Sequence, residues 1–212
     1  MFRNMVFDFD GTIADSKTCS VIATQKAFVD FGLEEPSEQI IEYYMGIPIE
    51  KSFGLMSTTP LNESELDSLI HIFRENYKEV ETTYLDIYKG VYDALQSLHE
   101  KAKLFVVSSK KTDVLKRNLT TLNVDSFFLE VIGSDKVENH KPAPDGLLYI
   151  LDKYQLQKNE TVYVGDAIFD IQMAKNANVK SCAVTWGSHS TEALEQEAPD
   201  FLISKVSELN NL

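Results

Sequence analysis

Two aspartates two residues apart, Asp8 and Asp10, follow a short apolar run near the start of the chain and precede Gly11 and Thr12. Alternation along an extended segment puts both carboxylates on one side, at the point where a buried strand ends. Like charges that close repel unless a proton or a cation sits with them, so the pair asks for a metal. Asp-Gly is also an ordinary turn signal. What decides between the two readings lies further along the chain, at Ser108, Lys141 and Asp166, with Asp170 four residues beyond the last.

These residues need elements to bring them together. Residues 2–9 read as a first strand buried on both faces, because Met5, Val6, Phe7 and Phe9 leave little polar alternation, and that favours a parallel sheet covered by helices. From Asp15 to Tyr88 the pattern is helical only. Val21, Thr24, Phe28 and Phe31 sit at helical spacing before the stop at Gly32, and a second helix runs from Pro36-Ser37-Glu38 to Gly46. Pro48 suits the first turn of a third. Asn62 and Glu65 form a capping-box pair ahead of the apolar stripe Leu66, Leu69, Ile70, Phe73, Tyr77 and Val80. A strand and helix rhythm then begins after Tyr88-Lys89-Gly90, with strands expected at Leu104–Val107, Val131–Gly133, Thr161–Val164, Cys182–Thr185 and Phe201–Ile203. Such alternation implies parallel pairing with right-handed crossovers.

In an open parallel sheet, ligands bind beyond the carboxyl ends of the strands. Asp8 and Asp10 follow the first strand, Ser108-Ser109-Lys110 the second, and Gly165-Asp166 the fourth, while Lys141 lies in the loop His140 to Asp145. Each alone has a plain structural explanation: Ser108 a helix cap, Lys141 a solvated loop cation, Asp166 and Asp170 first-turn charges that suit a helix dipole. Together they supply acids, a hydroxyl and a lysine at one sheet edge, the minimum kit for a Mg²⁺-assisted phosphoryl transfer.

The same residues resemble the haloacid dehalogenase superfamily of phosphatases over essentially the whole chain. Its first motif, Asp-x-Asp-Gly-Thr, stands at Asp8 to Thr12; its Ser or Thr after a buried strand at Ser108; its Lys at Lys141-Pro142; its Gly-Asp-x-x-x-Asp at Gly165 to Asp170. Within the superfamily the pattern looks most like the phosphoglycolate phosphatase and pyrophosphatase branch. The resemblance implies an α/β Rossmann-like core of residues 1–15 and 89–212 and an inserted α-helical cap of residues 16–88. Ala167 and Asn178 depart from residues frequent in the family, and neither change removes a catalytic group.

Resemblance and residue chemistry together imply a nucleophile at Asp8 and an acid then base at Asp10. Mg²⁺ is expected on Asp8, the Asp10 backbone carbonyl and Asp166. Ser108 and Lys141 are expected on the phosphoryl oxygens and Asp170 beside Lys141, with Gly11, Thr12 and Ser109 contributing to substrate binding. Lys51, near the Gly46-Ile47-Pro48 turn, is the leading cap residue for reaching the substrate, ahead of Arg74 and Lys78. A phosphomutase would retain every motif. A phosphoacceptor signalling domain shares the acids, the hydroxyl and the lysine, but would not need the helical insert; a catalytically dead interaction protein is disfavoured because no motif position is lost.

Composition narrows the partners. At 212 residues with 43% hydrophobic content the chain buries a real core, and a formal charge of -13 makes a nucleic-acid backbone an unfavourable partner. Cys19 and Cys182 lack metal-ligand spacing. No apolar run approaches bilayer length. A cytoplasmic monomer or weak dimer acting on a small phosphorylated metabolite, with no membrane partner, is expected.

Overall fold

The apolar run at the start of the chain forms β1 (Asn4–Phe7), with all four residues buried, in a computed structural model that describes residues 2–212. The strand is shorter than the 2–9 segment for a local reason. Asp8 still donates its N–H to the Val164 carbonyl at 2.9 Å, but the Phe9 N–H turns back to the Asp8 carboxylate at 2.7 Å and the ladder stops.

The chain then leaves through β2 (Ala14–Asp15) into α1 (Lys17–Phe31), α2 (Glu38–Tyr43), α3 (Ile49–Met56) and α4 (Glu63–Tyr84), and returns through β3 (Asp86–Ile87). β2 and β3 pair antiparallel, Ala14 opposite Ile87, so exit and entry lie side by side. The sequence pattern showed only helices here, because strands of two residues carry no periodicity to detect.

Helix ends follow the local signals. Gly32 closes α1 at φ 88°, the Ser37 hydroxyl caps α2, and Asn62 with Glu65 forms the capping box of α4. The face that α1 presents to α4 differs from the large apolar stripe expected. Cys19, Ala23, Ala27 and Phe28 are fully buried against Leu69, Ile70, Phe73 and Tyr77, while Val21 and Phe31 lie at the margin. Small side chains four residues apart let the two helices approach closely, and hydrophobicity alone does not reveal that choice.

Beyond β3 come α5 (Val91–His99), β4 (Lys103–Val107), α6 (Thr112–Thr121), β5 (Phe128–Ile132), α7 (Asp145–Lys153), β6 (Thr161–Gly165), α8 (Ile168–Asn176), β7 (Lys180–Val184), α9 (Thr191–Gln196) and β8 (Phe201–Ile203). The short α9, capped by the Ser190 hydroxyl, was not apparent from the pattern because Leu194 is its single buried residue. The strands form one parallel six-stranded sheet in the order β5-β4-β1-β6-β7-β8. Alternate strand residues feed two cores: Met5, Phe7, Val106 and Val164 face α5 and α6, whereas Val6, Phe105 and Tyr163 face α7 and α8.

Register places the chemistry. Phe7 lies opposite Val106 on one side and Val164 on the other, so Asp8, Ser108 and Asp166 leave three adjacent strands at the same edge. β1 sits where the connections diverge to either side, the crevice at which ligands bind in such sheets.

Candidate active site

Asp8, at the end of the central strand, is buried to 2% exposure and held by one oxygen. Its Oδ1 accepts from the Phe9 N–H at 2.7 Å and from Lys141 Nζ at 3.0 Å, and Oδ2 has no donor among the described residues. A fixed carboxylate with one free oxygen has the geometry that a nucleophile needs. Burial pushes the Asp8 carboxyl up to about 8; Lys141 opposes this, and the Asp170, Asp166 and Asp10 charges add to it.

Lys141 arrives from the loop between β5 and α7 and is as deeply buried as its partners. Its ammonium reaches Asp170 Oδ1 at 2.7 Å as well as Asp8. Burial works against its charge, and the two carboxylates more than offset that, so the lysine is held protonated. Asp170, in the first turn of α8, also accepts the Ala167 N–H at 2.9 Å through its other oxygen. That helix entry aims Asp170 at Lys141.

Asp166 follows β6. Its Oδ1 accepts the Thr12 hydroxyl at 2.8 Å and its Oδ2 the Ser188 N–H at 2.8 Å. Burial first, then the Asp170 charge, raises its carboxyl to about 6 against those two donors. Carboxylate oxygens of Asp8, Asp166 and Asp170 lie within 4.8 Å of one another, and all three side chains are buried. Ionised together, three buried acids would carry two negative charges more than the one buried lysine offsets, and the raised carboxyls of Asp8 and Asp166 reflect that strain. A divalent cation with a preference for oxygen ligands fits that deficit.

Gly11 makes this packing possible. Its φ is +76°, and a Cβ there would stand 2.1 Å from Asp166 Oδ2. Gly11→Ala therefore has to displace the Asp166 carboxylate as well as bear left-handed strain. A divalent cation held at these acids is expected to bind about 10- to 100-fold more weakly in that variant, the range seen when a ligand's support is lost. A metal titration showing an unchanged affinity would disprove the contact.

The other residues singled out in the sequence divide by position. Ser108 is buried beside Asp8 at the strand end, with its hydroxyl accepting the Lys110 N–H at 3.3 Å. Asp10 and Ser109 line the cavity over the sheet edge, but the Ser109 hydroxyl is committed to the Gly46 carbonyl at 2.6 Å. Gly11 gives its N–H to the Ala14 carbonyl at 2.9 Å, and the Thr12 hydroxyl serves Asp166. Lys51 is exposed and lies outside the cavity wall. Its charge bears on His140, whose pKa is lowered by burial first and then by Lys51.

The sequence reading passed over Lys110, naming it only as part of the strand-end trio. In the structure its Nζ lies 3.0 Å from Asp10 Oδ1, and the Ser16 hydroxyl donates to the same oxygen at 2.6 Å. Tyr77 counted only as one position in an apolar stripe, and its hydroxyl meets Lys110 at 2.8 Å. A phenol on a buried helix face does need a polar partner, and that was the available signal.

The cavity above these residues has a volume of about 330 Å³ and lies between the sheet edge and the helices α2 to α4. Its far wall mixes Ile47, Phe53 and Phe73 with Arg74 and Lys78, and Glu50 there pairs with Arg74 at 2.8 Å and with Lys111, from the sheet side, at 3.6 Å. A half-free buried carboxylate facing this cavity, with a lysine and an acid cluster suited to a cation at its back, has the geometry of a hydrolase site for an anionic substrate. The chain belongs to the haloacid dehalogenase-like hydrolases, whose family model matches residues 5–184. It is 32% identical over 208 residues to pyrophosphatase PpaX of Listeria monocytogenes, covering 97% of this chain and 93% of that one. It is 30% identical over 211 residues to phosphoglycolate phosphatase of Aquifex aeolicus, covering 99% and 96%. A haloacid dehalogenase-like family hydrolase from Streptococcus pneumoniae superposes with a TM-score of 0.88 at 26% identity, covering 99% of this chain and 97% of that one.

Proposed function

We propose that this chain is a Mg²⁺-dependent phosphatase that hydrolyses a small phosphorylated metabolite, phosphoglycolate- or pyrophosphate-like, through a phosphorylated Asp8. The observation that carries the reading is the Asp8 carboxylate, with Oδ1 fixed by Lys141 and the Phe9 N–H and with Oδ2 free. The curated relatives named above support a phosphate ester or anhydride as substrate.

In the first step Asp8 Oδ2 forms a bond to phosphorus while the bond from phosphorus to the leaving oxygen breaks. The electron pair goes to that oxygen, which takes a proton from Asp10. In the second, Asp10 removes a proton from water, the water oxygen attacks phosphorus, and the Asp8 bond to phosphorus breaks to release phosphate. Lys141 and Ser108 are placed to offset charge on the phosphoryl oxygens. Asp170 keeps Lys141 aimed at Asp8. Mg²⁺ would be held by Asp8, Asp166 and the Asp10 carbonyl, where it neutralises charge on the transferring group.

Residues 16–88 act in this reading as a cap over a core of residues 1–15 and 89–212. The cap wall of the cavity, with Arg74 and Lys78, together with Lys111 of the core, would select the leaving group. Lys51, beyond the rim, would make at most an outer contact.

Purified protein given a panel of phosphorylated metabolites should release phosphate with Mg²⁺ and none with EDTA. Ca²⁺ accepts more oxygen ligands and tolerates bidentate carboxylates, so it can occupy both oxygens of Asp8 and leave none to attack. Ca²⁺ should therefore bind and inhibit. Turnover with Ca²⁺ equal to that with Mg²⁺ would rule out the sharing of Asp8 between metal and phosphorus.

A further inference from the structure

Lys110 looks at first like one more cation for the substrate, since it lies on the cavity next to Ser108 and Ser109. Its hydrogen bonds indicate otherwise. A lysine ammonium has three donors, and here each is taken: by Asp10 Oδ1 at 3.0 Å, by the Tyr77 hydroxyl at 2.8 Å and by Asn118 Oδ1 at 3.2 Å. No N–H is left for a phosphoryl oxygen. The ammonium also lies 4.4 Å from the centre of the Tyr77 ring and 5.2 Å from that of Phe9.

The partners come from both sides of the cavity. Tyr77 and Glu81 are one turn apart on α4, in the helical insert, whereas Lys110, Arg117 and Asn118 belong to the core. Asn118 donates its amide to Glu81 Oε2 at 2.8 Å, and Arg117 reaches Glu81 Oε1 at 2.8 Å. Tyr77, Glu81 and Asn118 are all buried. A buried polar network is costly when half made, so the bonds that Tyr77 and Glu81 make to Lys110, Asn118 and Arg117 are expected together or not at all.

Asp10 stands at the end of this network. Besides Lys110, its Oδ1 accepts the hydroxyl of Ser16, where the chain enters the insert. Its Oδ2 has no donor among the described residues. The carboxylate is thus pinned by one oxygen, with the other left for the leaving group; the Ser16 pin sits where the insert begins, and the Lys110 pin is steadied from the insert through Tyr77.

We propose that Lys110 is a positioning residue that makes the placement of Asp10 depend on cap closure, with Tyr77 as its contact on the cap. The proposal rests on the reading of Asp10 as the acid that protonates the leaving oxygen. Lifting α4 takes Tyr77 from Lys110 and Glu81 from Asn118, so the ammonium keeps only Asp10 and an untethered Asn118, and the direction it gives Asp10 is loosened. Acid catalysis is then available only when the cavity is closed to bulk water.

Leaving groups of different basicity provide the test. When the bond from phosphorus breaks, an alkoxide has to be protonated, whereas a nitrophenolate leaves with its electron pair unaided. The ratio kcat/KM covers only steps up to the phosphorylation of Asp8 when that step is irreversible, so the later base role of Asp10 does not enter. Lys110→Met keeps the stem and removes the ammonium. It is expected to lower kcat/KM by about 100-fold on an alkyl phosphate such as glycerol phosphate, the scale of general acid catalysis, and by no more than about threefold on 2,4-dinitrophenyl phosphate. Tyr77→Phe removes one hydroxyl, and should show the same selectivity at about tenfold. It carries the test alone if Lys110→Met does not fold.

Asp10→Asn is the control. Selective loss in Asp10→Asn, with equal losses on both substrates or none in the other two variants, overturns the link through Lys110 and leaves the acid assignment standing. Loss in Asp10→Asn that ignores the leaving group overturns the acid assignment and the proposal with it.

Discussion

Asp8→Asn is expected to lose at least about 10⁴-fold in kcat on every phosphorylated substrate, as removing a nucleophile does where no other group can replace it. The amide keeps the shape of the carboxylate, and its oxygen can still accept from the Phe9 N–H and from Lys141, the two contacts that fix Oδ1. What disappears is the anionic Oδ2 that would bond to phosphorus. The other two acids of the cluster cannot take over, because Asp166 has both oxygens held by Thr12 and Ser188 and Asp170 is tied to Lys141 and the Ala167 N–H.

Folding should survive the change. Burial and three neighbouring acids already push the Asp8 carboxyl up to about 8, so a neutral side chain is better tolerated there than the charge. Thermal melting of Asp8→Asn without metal should therefore match or exceed that of the native protein. An acid quench of native protein with substrate should trap phosphate on Asp8, and none on the variant. Robust turnover by well-folded Asp8→Asn would remove the covalent mechanism from consideration.

Much of this site was legible in the chain because its parts lie at strand ends. A buried strand has a simple signature, and the residue after it falls on the ligand edge wherever the sheet is parallel. Asp8, Ser108 and Asp166 came from that rule, and the register of β1 with β4 and β6 bears out their shared edge. Lys141 had no strand to announce it. Its place in the proline-flanked loop His140 to Asp145 drew attention to it, and its likeness to a family motif gave it a role; the loop that delivers it to Asp8 has no period to detect.

What stayed hidden were contacts between distant segments. Thr12 supports Asp166 across 154 residues of sequence, and Lys110 meets Tyr77 across 33. Each hydroxyl had a sufficient local explanation, in a turn or in an apolar stripe, so nothing in the sequence demanded a remote partner. Lys51 shows the converse. Closeness to the Gly46-Ile47-Pro48 turn suggested reach towards the substrate, but α3 starts at Ile49 and turns Lys51 outward while Ile49, Glu50 and Phe53 line the cavity. A shift of one residue on a helix moves a side chain by about 100° around the axis.

Lys141→Met should be the most destabilising change at the site. The side chain is 3% exposed and its ammonium bridges Asp8 at 3.0 Å and Asp170 at 2.7 Å. Methionine fills the space of the stem and removes the charge, which leaves three buried acids within 4.8 Å of one another and no buried cation among them. Removing one partner of a buried ion pair costs about 3–5 kcal/mol. One of the acids can relieve the repulsion by taking up a proton, which holds the cost to the lower part of that range. For a protein of this size that corresponds to a fall of roughly 6–12 °C in the melting temperature of the metal-free protein. Mg²⁺ should then raise the melting temperature of Lys141→Met by more than it raises that of the native protein, because the ion supplies charge that the lysine no longer gives. Activity should stay low even at saturating Mg²⁺, by about 100-fold or more, since a phosphoryl oxygen loses a preorganised cation. Asp170→Asn makes the comparison sharp: it removes an acid and one of the two lysine contacts, so its melting temperature should fall less while its activity still drops through a misdirected Lys141. A metal-free Lys141→Met that melts with the native protein would mean that the lysine's charge contributes nothing to holding Asp8 and Asp170 together, and the ion-pair reading of the site would fall.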